Sequence, residues 1–233
     1  DNLYFAGQIN GTTGYEEAAC QGLMAGINAH NKVHNKEPFI LKRSEAYIGV
    51  LIDDLVNKGT QEPYRMFTSR AEYRILLRQD NADLRLTELG YKIGLASEAR
   101  FEKVLTKKND MQRLAKELQE MRAEPEVVNA ELEQLGTSPI PEKVSVVSLL
   151  RRPQIGIGEL AKLDSRIKKS IDKYNTEVQQ QVEINLKYES YIEREQKLAE
   201  KIESLENYKI LPDFDYDRVK ALSSEAREKL KRI

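Results

Sequence analysis

The sequence has 233 residues, of which 32% are charged and 7% are aromatic, and it contains no tryptophan. This composition is typical of solvated helices and argues against an all-β sandwich or barrel. With 37 Lys and Arg against 38 Asp and Glu, the net charge is -1, so no overall field attracts nucleic acid or a membrane. The single cysteine, Cys20, excludes an intramolecular disulfide. With neither a signal peptide nor an apolar run long enough to span a bilayer, the sequence predicts a cytoplasmic location.

The N-terminal stretch follows a strand–loop–helix pattern. The apolar run at 2–6 predicts a strand, the glycines at 7–14 predict a loop, and 15–29 predicts a helix capped by Thr12 or Thr13. Amide groups at the N-terminus of a helix attract an anionic or electron-rich ligand. The glycine spacing matches neither a dinucleotide fingerprint nor a P-loop. An ordinary strand–helix turn therefore remains the alternative to a ligand site.

A segment rich in arginine follows. It holds Arg65, Arg70, Arg74 and Arg78. If a helix begins at Ser69, the last three arginines recur every four residues and share one face. Arginine suits phosphate because its planar fork donates two hydrogen bonds at once and keeps its charge. The alternative is that Glu72, Asp80 and Asp83 neutralise these side chains in ordinary surface ion pairs.

The near-zero total charge conceals two basic regions. Residues 64–108 hold ten Lys and Arg against six acids, and residues 142–173 hold eight against four, so each region has a net charge of +4. The second region contains the pair Arg151 and Arg152. Residues 174–207 compensate with eight acids against four bases. Local charge thus favours an anionic partner where the total charge does not.

Apolar spacing predicts a mainly α fold, a multi-helix bundle with one very long helix. The further predicted helices cover 44–56 with Ser44 as N-cap, 101–121, a short stretch ending at Gly136, 165–207 and 223–231. The helix over 165–207 would extend about 60 Å at 1.5 Å per residue. The loop at 137–141 is the clearest linker. The chain is divided accordingly into 1–35, 36–136 and 137–233.

Several segments of the chain closely resemble the MnmG (GidA) family of flavoproteins, which modify the wobble uridine of bacterial tRNA. The resemblance rests on AGQINGTTGYEEAA at 6–19, PYRMFTSRAEYRILLR at 63–78, DNADLRLT at 80–87 and residues 182–192. It implies an enzyme that works as a homodimer with a GTPase partner, MnmE. The enzyme adds an aminomethyl or carboxymethylaminomethyl group to C5 of uridine 34, using FAD, NADH and methylenetetrahydrofolate.

The resemblance also implies sites. Residues 1–35 would be the C-terminal remnant of an FAD-binding domain, and the chain a C-terminal portion of a longer enzyme. The residues assigned to FAD are Gln8, Asn10, Gly11, Thr12, Thr13 and Gly14. The resemblance places tRNA and GTPase contacts in the C-terminal helical region, and the clustering of arginines assigns to tRNA Arg65, Arg70, Arg74, Arg78, Arg85, Arg151 and Arg152. No catalytic residue and no metal ligand is assigned, and the isolated chain is expected to hold no FAD and to be inactive. The alternative is a helical interaction module that docks the GTPase without touching RNA.

Overall fold

A computed structural model describes residues 2–59, 62–67, 71–206, 208–211 and 214–232. Over these residues the protein is mainly helical, with one two-stranded sheet, which confirms the predicted fold class. The chain forms two compact units, residues 1–196 and 197–233. No helix in the described ranges is both long and apolar enough to cross a membrane.

The first unit begins with a turn and a long helix. A 3-10 turn over Gly7–Asn10 precedes α1 (Tyr15–Val33), whose N-cap is Gly14. The predicted threonine caps are wrong because both hydroxyls have other partners: Thr12 accepts from a helix side chain, and Thr13 faces the carbonyl of Tyr64. The predicted strand at 2–6 is also wrong. This run pairs with no other strand among the described residues, and the parallel bridge between Thr12 and Tyr64 follows it.

Three helices follow in the same unit: α2 (Tyr47–Asn57), α3 (Ala82–Lys92) and α4 (Glu98–Glu120). The N-cap of α2 is Ala46 rather than the predicted Ser44. The prediction of α4 is confirmed to within three residues. The helix starts at Glu98 because Ser97 caps it by accepting from the amide of Arg100.

The hydrophobic core lies in the second half of this unit. The elements around it are β1 (Arg122–Ala123), α5 (Pro125–Gln134), β2 (Val144–Ser145), α6 (Val146–Leu150), α7 (Ile157–Leu163), α8 (Ser165–Ile171) and α9 (Thr176–Lys187). The strands are antiparallel, with Arg122 opposite Ser145. Fully buried side chains include Leu114, Leu118, Val128, Leu132, Val146, Leu149, Leu150, Ile155, Leu160 and Val178. This core includes residues on both sides of the predicted domain boundary at 136/137. The division into three domains stays a prediction of the sequence.

The predicted continuous helix over 165–207 is wrong, because it is divided into α8, α9 and α10 (Glu189–Glu206). Asn175 starts α9 by accepting a hydrogen bond from the amide of Val178 at 2.9 Å. The side chain of Gln179 donates to the carbonyls of Ile171 and Tyr174, at 3.1 and 2.7 Å, and so satisfies the end of α8. A second break falls at Tyr188.

The second unit is small, and one carboxylate joins its 3-10 turn to its C-terminal helix. It contains a 3-10 turn over Tyr216–Arg218 and the short helix α11 (Ser224–Leu230), which Ser223 caps through the amide of Ala226. Asp217 pairs with Lys231 at 2.7 Å and with Arg227 at 3.8 Å. These hydrogen bonds and charges lower the pKa of Asp217.

Candidate functional site

The turn assigned to FAD is fastened to α1 by one buried side chain, Gln21. Its carbonyl accepts from the amide of Gly7 at 3.1 Å and from the side chain of Asn10 at 2.7 Å. Its amide donates to the hydroxyl of Thr12 at 2.9 Å and to the carbonyl of Glu17 at 3.1 Å. Gln21 thus uses both ends of its amide, and the path of the turn is fixed by hydrogen bonds rather than by apolar packing.

The turn also pairs with a short extended segment around Tyr64. The amide of Tyr64 donates to the carbonyl of Gly11 at 2.7 Å, and its carbonyl accepts from the amide of Thr13 at 3.0 Å. Gly11 has a φ of 79°, a left-handed conformation that favours glycine. Backbone groups on both sides of Thr12 are therefore held in place.

The first turn of α1 carries the carboxylate of Glu17, which lies next to Gly14 at the end of the turn. Glu17 is buried, and its Oε1 accepts from the amide of Met66 at 2.9 Å. A Cβ atom on Gly14 would lie 1.5 Å from the other carboxylate oxygen, so only glycine fits at this N-cap with Glu17 in place. The negative charge disfavours a phosphate here, whereas a neutral carbonyl can still accept from the first-turn amides of the helix.

The residues assigned to FAD differ in their exposure. Gln8 and Thr13 are exposed, whereas Thr12 is buried and structural. A cavity of about 950 Å³ lies beside the turn, and its lining includes Tyr4, Phe5, Ile9, Asn10 and Gln21. Of the residues assigned to FAD, Asn10 lines this cavity, which otherwise follows α1 from Gln21 toward Asn31 and away from its N-terminus.

The arginine segment is not the helix that its spacing predicts. Arg70 lies outside the described residues, as does the predicted start at Ser69. From Ala71 to Arg78 the chain forms a turn in which Tyr73 has a φ of 51° and its carbonyl accepts from the amides of Leu76 and Leu77. The amides of Ile75 and Leu76 donate to the carboxylate of Glu195 on α10, at 3.1 and 2.9 Å. A distant carboxylate thus takes two amides that a helix would pair internally.

Four of the assigned arginines are engaged within the protein. Arg78 donates to Ile75, Asp80 and Gln181, and Arg85 donates to Glu45, Arg78 and Asn81. Burial lowers the pKa of Arg85 below its ordinary value. Arg151 bonds to Leu186 and Glu189, and Arg152 bonds to Thr137 and Ser138. These side chains hold elements together, so the four do not form one free basic face.

Arg65 and Arg74 differ from the other four. Both are exposed, and neither forms an ion pair within the described ranges. The guanidinium of Arg65 lies 5.8 Å from the ring centre of Phe67, which is itself exposed. Among the assigned arginines that the structure describes, these two are the ones whose charge is open to a ligand.

Sequence reasoning missed an ionic cluster centred on Arg43. The guanidinium bonds Glu72 through two nitrogens, at 2.6 and 2.9 Å, and also contacts Asp53 at 2.6 Å and Asp54 at 2.9 Å. Chiefly because of Glu72, the pKa of Arg43 is raised. Burial alone would raise the pKa of Asp54, but hydrogen bonds from Lys58, Arg43 and Tyr64 outweigh it and the pKa is lowered.

Gln21 was also missed, although the sequence carried a signal for it. The buried face of α1 includes Glu17, Gln21, Met24 and Asn31, at helical spacing. Polar residues recurring on one helix face indicate hydrogen bonding to neighbouring backbone, as Asn31 also shows by donating to the carbonyl of Glu37.

Two family models match the chain. The model described as "tRNA modifying enzyme MnmG/GidA C-terminal helical domain" matches residues 98–196, and the model described as "Glucose inhibited division protein A" matches residues 1–37. The two models thus match separate regions, one at the turn described above and one across the helical core.

Whole proteins of known sequence or structure are similar along all or nearly all of the chain. The tRNA uridine 5-carboxymethylaminomethyl modification enzyme MnmG of Cytophaga hutchinsonii is 59% identical over 232 residues, which cover 100% of this chain and 37% of the relative. The enzyme of the same name from Listeria monocytogenes is 52% identical over 234 residues, with the same coverage. The solved structure of Aquifex aeolicus GidA in its form II crystal has a TM-score of 0.73 and 43% identity, covering 97% of this chain and 35% of that one. The chain therefore spans little more than a third of the length of these relatives.

Proposed function

The chain belongs to the MnmG/GidA family of tRNA-modifying enzymes, and from this premise we propose that it supplies one edge of a flavin site and a tRNA-binding surface. The whole enzyme would add an aminomethyl or carboxymethylaminomethyl group to C5 of the wobble uridine, number 34, of tRNA. It would use FAD, NADH and methylenetetrahydrofolate, together with the GTPase MnmE, as a cytoplasmic homodimer.

The proposed flavin edge is the turn at 8–14 with the first turn of α1. When bound, FAD would supply the electron-transfer chemistry. The residues present fit a neutral part of the flavin better than its pyrophosphate, because Glu17 already places a carboxylate under Gly14. Helix amides would donate to a flavin carbonyl, and the exposed Gln8 and Thr13 would border it. Gln21 would keep the turn in register.

The flavin edge is tested in the full-length enzyme with Gly14→Ala, whose Cβ meets the carboxylate of Glu17. The matched control is Gly22→Ala on the same helix, where a Cβ meets no atom within 4 Å. We expect the first variant to lose bound flavin, measured as flavin absorbance per mole of protein, and the second to retain it. Equal flavin content in both variants would contradict the assignment.

The isolated chain provides a second test. We expect it to purify without flavin and without activity, since the turn is one edge of a site and not a closed pocket. A flavin spectrum in the purified chain would contradict this expectation.

The observation that carries the tRNA proposal is the exposure of Arg65 and Arg74 without acidic partners in the described part of the chain. Each phosphate that a side chain neutralises releases counterions, so binding weakens as salt rises. Replacing both arginines by Ala should weaken tRNA binding by the chain. It should also make the slope of log affinity against log salt shallower by about 1.4–1.8, or roughly 0.7–0.9 per contact.

The control for this titration is Arg113→Ala, which removes another exposed arginine, one that lies on α4. The Arg113 side chain is 71% exposed, and its nearest acid, Asp110, is 3.8 Å away. We expect this variant to bind tRNA like the parent in a filter-binding assay. If the double variant shows the parental affinity and salt slope, Arg65 and Arg74 do not bind tRNA.

A second function, docking of the GTPase without RNA contact, is favoured by the surface of the second unit. Its exposed apolar side chains include Leu198, Ile202, Leu205, Tyr208, Ile210, Leu211 and Phe214. An apolar surface among charged residues is typical of protein contact sites. Pull-down of the GTPase by the chain, with and without tRNA, separates the two functions. Capture that needs no tRNA supports docking, and capture only with tRNA supports RNA-mediated assembly.

A further inference from the structure

We infer that Asp54 is a positioning residue. It holds the turn at 8–14, here called the flavin turn, and the arginine segment in one fixed arrangement. The inference rests on the proposed function of these two segments and goes beyond it by assigning the link between them. The link is a chain of four side chains, Tyr64, Asp54, Arg43 and Glu72. None of the four is assigned to FAD or tRNA.

The first half of the link joins the turn to α2. Tyr64 is paired through its backbone with Gly11 and Thr13, as described above, and is itself buried. Its hydroxyl donates to Oδ2 of Asp54 at 2.9 Å. Asp54 lies on α2 and is also buried, so this hydrogen bond fixes the position of the turn relative to α2.

The second half joins α2 to the arginine segment. The other carboxylate oxygen of Asp54 accepts from Nη1 of Arg43 at 2.9 Å. The Nη2 and Nε atoms of Arg43 then bond the two oxygens of Glu72, at 2.6 and 2.9 Å. Such a two-point contact fixes both distance and angle. Glu72 precedes the turn at Tyr73, within which the exposed Arg74 lies.

The chemistry of the link favours positioning over bulk stability. Apolar residues would pack at buried positions without any need for charge, whereas buried ionic groups impose one arrangement of their partners. Here Oδ2 of Asp54 accepts from Tyr64, toward the flavin turn, while Oδ1 accepts from Arg43, toward the arginines, and also from Lys58 at 2.7 Å. A disturbance on one side therefore alters the anchor of the other.

The test uses two conservative variants of the full-length enzyme. Tyr64→Phe removes the bond on the flavin side and keeps the ring and backbone, and Glu72→Gln weakens the bond on the arginine side. The control is Lys58→Ala, which removes an exposed partner of Oδ1 of Asp54 that lies in neither of the two linked segments. Hydrogen–deuterium exchange is measured over 7–14 and 71–78, with α4 as the reference for intact folding.

We expect each of the two variants to speed exchange in both segments, while the control and α4 stay unchanged. The dissociation constant for FAD and the KM for tRNA should each rise about three- to tenfold, the change that one lost hydrogen bond represents. The kcat per bound flavin should stay constant. Exchange that rises only in the segment nearest each substitution would overturn the link. Exchange that rises in both segments with unaltered FAD and tRNA affinities would support the link and contradict the proposed function of the segments.

Discussion

The replacement of Gln21 by leucine tests how the turn at 7–12 is held. Leucine has nearly the shape of glutamine but carries no donor or acceptor. The amide of Gly7 and the hydroxyl of Thr12 would lose their partner in buried surroundings. The side chain of Asn10 would keep its bond to the carbonyl of Phe5 at 3.1 Å. The carbonyl of Glu17, the fourth partner of Gln21, keeps its hydrogen bond within α1. Two buried polar groups, rather than four, are therefore left unsatisfied.

Each buried polar group that loses its partner costs about 1–3 kcal/mol. We therefore expect Gln21→Leu to lower the free energy of unfolding by about 2–6 kcal/mol, a large share of the roughly 5–15 kcal/mol typical of a domain. Urea unfolding followed by circular dichroism measures this loss. Hydrogen exchange at Gly11 and Thr13 separates local opening of the turn from global unfolding.

Gln112→Leu is the matched control, because Gln112 is exposed on α4. A surface substitution of this kind should change stability by less than about 0.5 kcal/mol. If Gln21→Leu also stays within that limit and exchange in the turn is unchanged, the reasoning from unsatisfied groups is refuted.

Three further predictions concern stability. Because the pKa of Asp54 is lowered on folding, its contribution is present above the unfolded value of about 3.9 and is lost as pH falls through the folded value. Asp54→Asn should flatten this acid dependence in urea titrations carried from neutral pH down through the unfolded value of about 3.9. Gly49→Ala should destabilise by about 2–3 kcal/mol because its Cβ would lie 2.2 Å from a backbone oxygen of Lys42. Gly26→Ala, on α1, should stabilise by about 0.5–1 kcal/mol, because its Cβ would meet no atom within 4 Å. Equal melting temperatures for Gly49→Ala and Gly26→Ala would contradict both predictions. Lys107→Met should cost only about 1–2 kcal/mol, as its two carboxylate partners stay partly hydrated, and a loss above 4 kcal/mol in urea would show otherwise.

Helices with local start and stop signals were predictable from the sequence. The helix α4 has an N-cap serine, a regular apolar stripe and a proline soon after its end, and its predicted and observed limits agree closely. The break before α9 also had a local signal, Asn175 at the N-cap. The apolar spacing continued across it because α8 and α9 bury their side chains in the same core. Periodicity alone therefore joined two helices that capping residues separate.

The arginine segment could not be predicted from local sequence. Its spacing of four residues is typical of a helix, but the amides of Ile75 and Leu76 bond to Glu195, which is 120 and 119 residues away. The same holds for Gln181, which donates to Asp80 across 101 residues. Tertiary partners at such separation override local preference, and no pattern within the segment records them.

The distance in sequence between this segment and Glu195 has a consequence for the order of folding during synthesis. A ribosome adds about 5–20 residues per second, so Glu195 emerges roughly 6–24 s after the segment it holds. During that interval the amides of Ile75 and Leu76 have no access to this carboxylate. The arginine turn can therefore reach its final form only after α9 and the first seven residues of α10 have been made. The arginine segment is made first, but its fold depends on α10, which is made later.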